Sequence, residues 1–350
     1  MGTLRINGTI DLSQFWPTGS SDADTTKMKI VLVVNKNSFE YKETGRKKFT
    51  PTHVFNDAIS KGQGAKAVIN TRKKDGLQTI TVRLQGVDAP ELHYKAAPLK
   101  TSNAVTDAKR KKFNEYNEDR RQPFAESSTI ALAGYLKQYA DASGVVKATF
   151  ESEVNHPFEV VDTYGRFIGN IKVSKNDINV WLVANGWGLP AFYTSMSENE
   201  IATFLNAWKT GKIKAGRIGK NITKNASLFD WDLVYQPAGS LAADFSFKTG
   251  DDKGKVLLPK IFRRQVSWMV QKKAKVISIS TSFYTFLKKT PDQLVLLNDF
   301  LDNGIHAAKI FSLHDFVTKD NLITKNPEDF VFQEKPGTLV NAKGKKITDW

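Results

Sequence analysis

Alternation of apolar and polar residues dominates the first half of the chain and predicts β-strands there. Such stretches cover residues 4–12, 27–34, 65–70, 79–85, 146–153 and 167–173, with Gly, Asp and Asn between them. A period of two is the pattern of a half-buried strand. These stretches therefore predict a sheet or a small barrel.

Three helices are predicted among these strands. One begins at residues 122–123, because proline is tolerated at the first helical position. A second is capped by Asn176 or Asp177, and a third by a capping box of Ser197 and Glu200. Strands with helices inserted and appended predict an α+β fold, a small β-barrel that carries helices.

The length of the chain, 350 residues, favours two domains, because one core usually serves fewer residues. The sequence changes in character beyond about residue 225, and residues 236–240 (QPAGS) predict a linker or loop. Residues 240–350 are predicted to form a C-terminal α/β extension. Within it, residues 290–304 predict a helix and residues 329–350 predict short strands.

The chain is strongly basic, with 51 Lys and Arg against 36 Asp and Glu, a net charge of +15. This predicts an anionic partner, either nucleic acid or an acidic membrane surface. The excess is concentrated in residues 251–290. The basic residues there are Lys253, Lys255, Lys260, Arg263, Arg264, Lys272, Lys273, Lys275, Lys288 and Lys289. They form either a solvated surface or an auxiliary nucleic-acid-binding surface. In the second case, if the barrel stays folded, deleting residues 240–350 weakens binding of long DNA and reduces its salt dependence but spares cleavage of a dinucleotide.

The absence of cysteine excludes disulfides, zinc thiolate sites and cysteine nucleophiles, and the five histidines do not cluster at zinc-ligand spacing. The sequence has no run of about 18 apolar residues, which is the length that would predict a membrane span. The start, MGTLRINGTIDL, lacks the charged and apolar segments of a signal peptide. A chain without cysteine fits a secreted or periplasmic protein.

Candidate chemistry lies in residues 81–94, TVRLQGVDAPELHY. A predicted strand there contains Arg83 and ends by placing Asp88 and Glu91 three residues apart around a proline. A second motif, DTYGR at residues 162–166, leads into another predicted strand. The two motifs, in this order and with a predicted helix between them, resemble those of the staphylococcal-nuclease (thermonuclease) family.

The resemblance covers residues 1 to about 225 and implies a five-stranded barrel of the oligonucleotide-binding (OB) type with three helices. The family's third motif, Asp-Gly-Asp-Thr, has two candidates here. Residues 22–25 (DADT) keep the spacing of the two acids, whereas Asp57 keeps one acid and lacks the threonine. We favour Asp24, which requires an insertion at about residues 35–76, and long insertions are thermodynamically mild.

By this resemblance, Asp24, Asp88 and the carbonyl of Ala89 hold a calcium ion, which prefers oxygen ligands. Arg83 and Arg166 bind the phosphate, because guanidinium groups stay charged and bind phosphate oxygens in pairs.

The remaining implied roles concern water and substrate. Glu91 orients or deprotonates the attacking water, as a general base does. Tyr164 contacts a phosphate through its hydroxyl, and Phe192 and Tyr193 contact a nucleotide base, since stacking on aromatic rings suits single strands.

The predicted activity is calcium-dependent hydrolysis of DNA and RNA that leaves 3′-phosphate ends. One alternative is a nucleic-acid-binding module on the same barrel that has lost catalysis. The retention of Arg83, Asp88, Glu91 and Arg166 favours the enzyme. A structural or membrane-surface protein would explain the charge but none of the motifs.

Overall fold

The computed structural model describes residues 1–14, 22–33, 36–62, 64–72, 76–99, 105–228, 230–235, 254–290, 292–334 and 337–350. The predicted linker at residues 236–240, Lys253 and Pro291 lie outside the described residues.

A closed barrel of five strands forms the centre of the fold. The strands are β1 (Gly2–Asp11), β2 (Thr25–Lys29), β3 (Gln78–Leu84), β4 (Val145–Val154) and β5 (Phe167–Val173). They pair in the order β1-β2-β3-β5-β4, and β4 pairs back onto β1. Only the β3–β5 pair of this barrel is parallel. The predicted α+β fold with an OB-type barrel is confirmed.

The barrel forms because alternate residues of its strands face one core. Along β1, Leu4, Ile6 and Ile10 are almost completely buried while most residues between them are partly exposed. Phe150 of β4 and Phe167 of β5 fill the same interior with their rings in edge-to-face contact. Burial of this apolar area is the main force that holds the barrel closed.

Eight α-helices are present in the part of the chain that the structure describes. They are α1 (Asp107–Tyr116), α2 (Ala125–Lys137), α3 (Ile178–Ala184), α4 (Glu198–Gly211), α5 (Ile218–Asn221), α6 (Pro259–Lys273), α7 (Phe283–Lys288) and α8 (Leu297–Ala307). Short 3-10 helices cover Leu12–Gln14, Pro157–Val160, Ala226–Leu228, Leu313–Phe316 and Pro327–Asp329. No helix among the described residues is long and apolar enough to span a bilayer.

The three predicted helices are present, with one shifted start. Helix α2 begins at Ala125, because Phe124 adopts a left-handed conformation with φ 69° and cannot continue a helix backward. Asp177 caps α3 by accepting two backbone N–H hydrogen bonds. The capping box of Ser197 and Glu200 at the start of α4 is confirmed.

The segment predicted as an insertion adds short strands beside the barrel. They are Lys36–Asn37, Phe39–Glu43, Thr50–Pro51, Ile59–Ser60, Lys66–Ala67 and Ile69–Thr71. Phe39–Glu43 pairs antiparallel with β1, and Ile69–Thr71 pairs with β3. Three of these strands thus extend the barrel sheet, whereas Ile59–Ser60 and Lys66–Ala67 pair with each other outside it. The remaining short strands are Leu32–Val33, Val87–Asp88, Asn176–Asp177 and Leu189–Pro190.

The C-terminal residues build a small sheet on the side of the barrel domain. Its strands are β6 (Phe192–Tyr193), β7 (Gln293–Leu296), β8 (Phe311–Ser312) and β9 (Phe330–Phe332), in the order β6-β9-β7-β8. A further strand, Leu339–Val340, pairs with Ile59–Ser60. Buried residues of the barrel and of the C-terminal part belong to one continuous core. The boundaries of two domains at residues 225 and 240 stay a prediction.

The helix predicted over residues 290–304 is wrong at its start. Residues 293–296 form strand β7, because they pair with β9, and the helix begins only at Leu297. Helical geometry breaks at Gly304, as predicted, because its φ of 67° lies in the left-handed region, and a short helical piece follows it up to Ala307.

Candidate functional site

A buried cluster of one arginine and two carboxylates lies near the carboxyl end of β3. There Arg83 is in register with Thr25 of β2 and with Ile168 of β5. Its Nη1 lies 2.6 Å from Oδ1 of Asp24, and its Nη2 lies 2.6 Å from Oδ1 of Asp88. Burial opposes the charge of Arg83, yet the two carboxylates hold its pKa well above its ordinary value.

The turn after β3 brings Asp88 back toward Arg83. Gly86 has a φ of 75°, and a Cβ there would overlap the ring of Phe204. Only glycine meets both conditions without strain. Beyond the turn, Val87 and Asp88 pair antiparallel with Leu189–Pro190, which fixes the direction of the Asp88 side chain.

Asp24, the favoured candidate in the first motif, lies in this cluster. It is 1% exposed, and its Oδ2 accepts a 2.8 Å hydrogen bond from the backbone N of Ala89. Asp57, the alternative, is exposed and accepts a hydrogen bond from the backbone N of Ala342 in the C-terminal part. The structure brings Asp24 and not Asp57 beside Arg83 and Asp88.

The second predicted arginine is held by its own motif. Arg166 donates from Nε to Oδ2 of Asp162 at 2.7 Å, while Oδ1 of Asp162 accepts from the backbone N–H groups of Tyr164 and Arg166. Gly165 completes this tight loop with a φ of 81°. Nη1 of Arg166 lies 3.4 Å from Oγ1 of Thr25.

Thr25 connects the two arginines, because its Oγ1 also donates to Oδ1 of Asp24 at 3.1 Å. Arg83 and Arg166 therefore belong to one chain of contacts that runs through Thr25 and Asp24.

Glu91 is buried and has two partners that the sequence motifs do not predict. Its backbone N donates to Oε1 of Gln122 at 3.0 Å, and its Oε1 forms an ion pair with Nη1 of Arg263. Burial raises the pKa of Glu91 to about 7, with Asp22 and Asp88 adding to the rise and Arg263 opposing it.

The three predicted catalytic residues line one cleft of about 1250 Å³, whereas Asp24 and Asp88 contact Arg83 without lining it. Arg83, Glu91 and Arg166 face it, together with Tyr164, which is half exposed, and Tyr193. The cleft places a general-base candidate and two guanidinium groups around one space that is open to an anionic ligand.

Phe192 does not face this cleft. Its side chain is completely buried, and its backbone pairs with Val331 in the C-terminal sheet. The expectation that Phe192 contacts a base is therefore corrected: successive residues of a strand point to opposite faces, and Tyr193 takes the face toward the cleft.

The carboxylates beside Arg83 outnumber the guanidinium groups that pair with them. The carboxylates are those of Asp22, Asp24, Asp88 and Glu91, and the guanidinium groups are those of Arg83 and Arg263. Burial first, and then the charge of Asp24, raise the pKa of Asp22 to about 7, while the charges of Arg83 and Arg166 oppose the rise. Asp24 and Asp88 offer carboxylate oxygens of the kind that a hard divalent cation prefers, and the carbonyl of Ala89 stays a predicted ligand.

In the part of the chain that the structure describes, no three Asp, Glu or His side chains converge as a ready metal-ligating group. Arg83 instead pairs with one oxygen of Asp24 and one of Asp88.

Two functional candidates are not identifiable from the sequence. Arg263 is one of ten basic residues in a basic region, and the sequence around Gln122 predicts only the start of a helix. Neither has a local pattern that indicates a site, since both reach Glu91 through the tertiary fold.

Comparison with curated proteins gives no match to this chain. Residues 81–217 match the family model described as staphylococcal nuclease homologue. This range contains Arg83, Asp88, Glu91 and the loop of Arg166, which lie together in the structure on a barrel of the expected topology. The chain therefore carries a domain of the staphylococcal nuclease homologue family, a family of nucleases and nucleic-acid-binding proteins.

Proposed function

We propose that this protein is a calcium-dependent nuclease that hydrolyses phosphodiester bonds of DNA and RNA and leaves 3′-phosphate ends. The observation that carries the proposal is the cleft itself, in which Arg83, Arg166 and Glu91 face one space beside buried carboxylates.

The two arginines would bind the oxygens of the scissile phosphate. A phosphodiester repels a nucleophile because it is anionic, so positive charge around its oxygens lowers the barrier to attack. Arg83 forms two ion pairs and Arg166 one, and a phosphate entering the cleft would take over guanidinium N–H groups that now donate to carboxylates. Arginine suits this exchange because its planar group binds two oxygens at once.

Release of Arg83 to the phosphate would free one oxygen of Asp24 and one of Asp88. These two carboxylates and the carbonyl of Ala89 would then hold the calcium ion, which supplies further positive charge at the phosphate when it is bound.

Glu91 would accept a proton from the attacking water. A general base works best when its pKa lies near the working pH, and burial raises the pKa of Glu91 to about 7. Attack on phosphorus would then break the bond to the 5′-oxygen, which takes up a proton from solvent and leaves as a 5′-hydroxyl. Glu91 would release the proton of the attacking water to solvent, and the other product keeps a 3′-phosphate.

Tyr164 and Tyr193 would contact the substrate next to the scissile bond. Tyr164 is 50% exposed, and the guanidinium carbon of Arg166 lies 5.3 Å from its ring centroid. Tyr193 lines the cleft close enough to Arg83 and Asp88 for their charges to act on its hydroxyl. Stacking on such rings tolerates any base, so little sequence preference is expected.

Digestion of single-stranded DNA and of RNA with calcium, and again with a chelator, tests the proposal. We expect cleavage of both with calcium and none with the chelator. Binding without cleavage in calcium would instead identify a nucleic-acid-binding module that has lost catalysis, and cleavage that survives the chelator would disprove the metal dependence.

A further inference from the structure

Helix α6 of the C-terminal part supplies a side chain to the site. Nη1 of Arg263 forms an ion pair with Oε1 of Glu91, and Nη2 lies 3.9 Å from Oδ2 of Asp88. Arg263 also lines the cleft that Arg83 and Arg166 face. It lies 46 positions beyond residue 217, where the match to the nuclease family model ends.

The position of α6 is fixed by packing and by hydrogen bonds. Ile261, Phe262 and Val266 are completely buried on its apolar face. The side chain of Gln122 donates to the carbonyl of Leu257 at 2.8 Å and accepts from the backbone N of Glu91 at 3.0 Å. The start of α6 and the backbone of Glu91 are therefore held by one buried side chain.

The neighbouring basic residues of α6 have a different partner. Arg264 donates two hydrogen bonds, of 2.7 and 2.8 Å, to the carboxylate of Asp292, and Nζ of Lys260 lies 3.9 Å from the same carboxylate. Among these three basic residues, Arg263 is the one whose ion pairs are with Glu91 and Asp88.

We propose that Arg263 is a positioning residue of the nuclease site: it holds the carboxylate of Glu91 toward the cleft, so that the C-terminal part completes the active site. This inference rests on the proposed function. A glutamate side chain has several rotamers, and a planar guanidinium group that pairs with one carboxylate oxygen selects among them. A base that is not held in place loses much of its effect, because a displacement of about 1 Å can lower a rate by about two orders of magnitude.

The first test compares wild type with Arg263→Ala and Arg263→Lys on a dinucleotide in calcium. We expect Arg263→Ala to lower kcat by about 10- to 100-fold with KM changed by less than about threefold, because the residue acts through Glu91. Arg263→Lys keeps the charge and should recover part of the loss.

Arg5→Ala is the matched control. Arg5 pairs with Glu151 at 2.9 Å on the barrel, with side-chain exposures of 33% and 19% against 26% and 10% for Arg263 and Glu91. The Arg5→Ala substitution removes an arginine from a comparable ion pair outside the cleft and should leave kcat unchanged.

A double-mutant cycle separates positioning from an independent role. If Arg263 acts through Glu91, then Glu91→Gln combined with Arg263→Ala is no slower than Glu91→Gln alone. Multiplied losses would overturn the inference, as would a rise in KM with unchanged kcat, which would make Arg263 a substrate-binding residue.

Calcium binding to the free protein gives a readout that does not depend on activity. Arg263→Ala removes a positive charge near Asp88, so calorimetry should find its calcium affinity equal to that of wild type or higher. A lower calcium affinity would mean that the site has collapsed, and it would overturn the positioning role. If wild type and Arg263→Ala cleave equally well, this inference alone is overturned. Wild type that does not cleave overturns the proposed function itself.

Discussion

At the scale of single residues, the arginines of the cleft differ in what holds them. Arg83 forms ion pairs with two buried carboxylates, whereas Arg166 forms one with Asp162 of its own loop. Both arrangements keep a guanidinium group pointed at the cleft without substrate. A phosphoryl-transfer site requires positive charge of this kind near the phosphate, and only the hydrogen-bond partners of the two guanidinium groups have to change when the phosphate binds.

Replacement of either arginine should therefore affect the rate far more than the fold. We expect Arg83→Lys and Arg166→Lys each to lower kcat by about two orders of magnitude or more, because lysine keeps the charge but cannot bind two phosphate oxygens in one plane. Steady-state cleavage of a dinucleotide measures this. Arg5→Lys serves as the control, and a loss below about threefold at Arg83 or Arg166 would contradict their role.

Lys260 carries a second residue-scale prediction. Burial lowers the pKa of Lys260 from 10.5 to about 8. The charge of Arg263 adds to this fall, and the charge of Asp292 opposes it. Between these values the unfolded chain binds the proton and the folded protein does not, so stability rises with pH across this window. Below pH 8 the folded protein carries the full penalty of the buried charge.

Lys260→Met removes this penalty. We expect the variant to be more stable than wild type at pH 7 by about 1–3 kcal/mol, with the difference shrinking toward pH 10. Urea unfolding at pH 7 and pH 9.5 measures it, and the exposed Lys319→Met is the control. A variant that is less stable than wild type at pH 7 would refute the buried-charge argument.

At the scale of elements, helix starts are set by side chains that accept backbone N–H groups. Asp177 accepts from the N–H groups of Asn179 and Val180, whereas the amide of the adjacent Asn176 donates to the hydroxyl of Tyr139. We expect Asp177→Ala to lower the free energy of unfolding by about 1 kcal/mol and Asn176→Ala by about half of that or less. Urea unfolding of the two variants is the test, and equal losses would show that the cap is not the source.

Elements with a local signal were predictable from the sequence, and those that depend on partners were not. The strands of the barrel follow their alternation, and the start of α4 follows Ser197 and Glu200, because these signals lie within a few residues. Residues 293–296 follow helical spacing but form a strand, since β9 pairs with them. Tertiary pairing overrides local propensity there.

The site shows the same division. Arg83, Asp88, Glu91 and Arg166 were predictable because their motifs are continuous in sequence. Arg263 could not be predicted, because it lies 172 positions from Glu91 and only the packing of α6 brings it there.

At the scale of the whole molecule, the barrel and the C-terminal part share one core, so deletion of residues 240–350 cannot isolate a binding surface. Substitution of exposed lysines can. We expect replacement of Lys273, Lys275, Lys288 and Lys289 by Gln to weaken binding of long single-stranded DNA. The log–log salt dependence of that binding should flatten by about 0.7 for each phosphate that the substituted side chains no longer neutralise.

Cleavage of a dinucleotide by the same variant should not change, because these lysines do not line the cleft. Lys319, Lys343, Lys345 and Lys346 are also exposed and give a control variant of equal charge. Equal weakening by both variants would mean that net charge alone drives binding, and the region 251–290 would then have no special role.

Cleavage of a dinucleotide in water enriched in oxygen-18 tests the central claim most directly. With calcium, we predict a 3′-phosphate that carries one heavy oxygen and a 5′-hydroxyl without label, identified by mass spectrometry, because water attacks phosphorus and the 5′-oxygen departs. Chelator or Arg83→Ala should suppress both products. Intact dinucleotide after prolonged incubation with calcium, or a label in the 5′ product, would contradict the account.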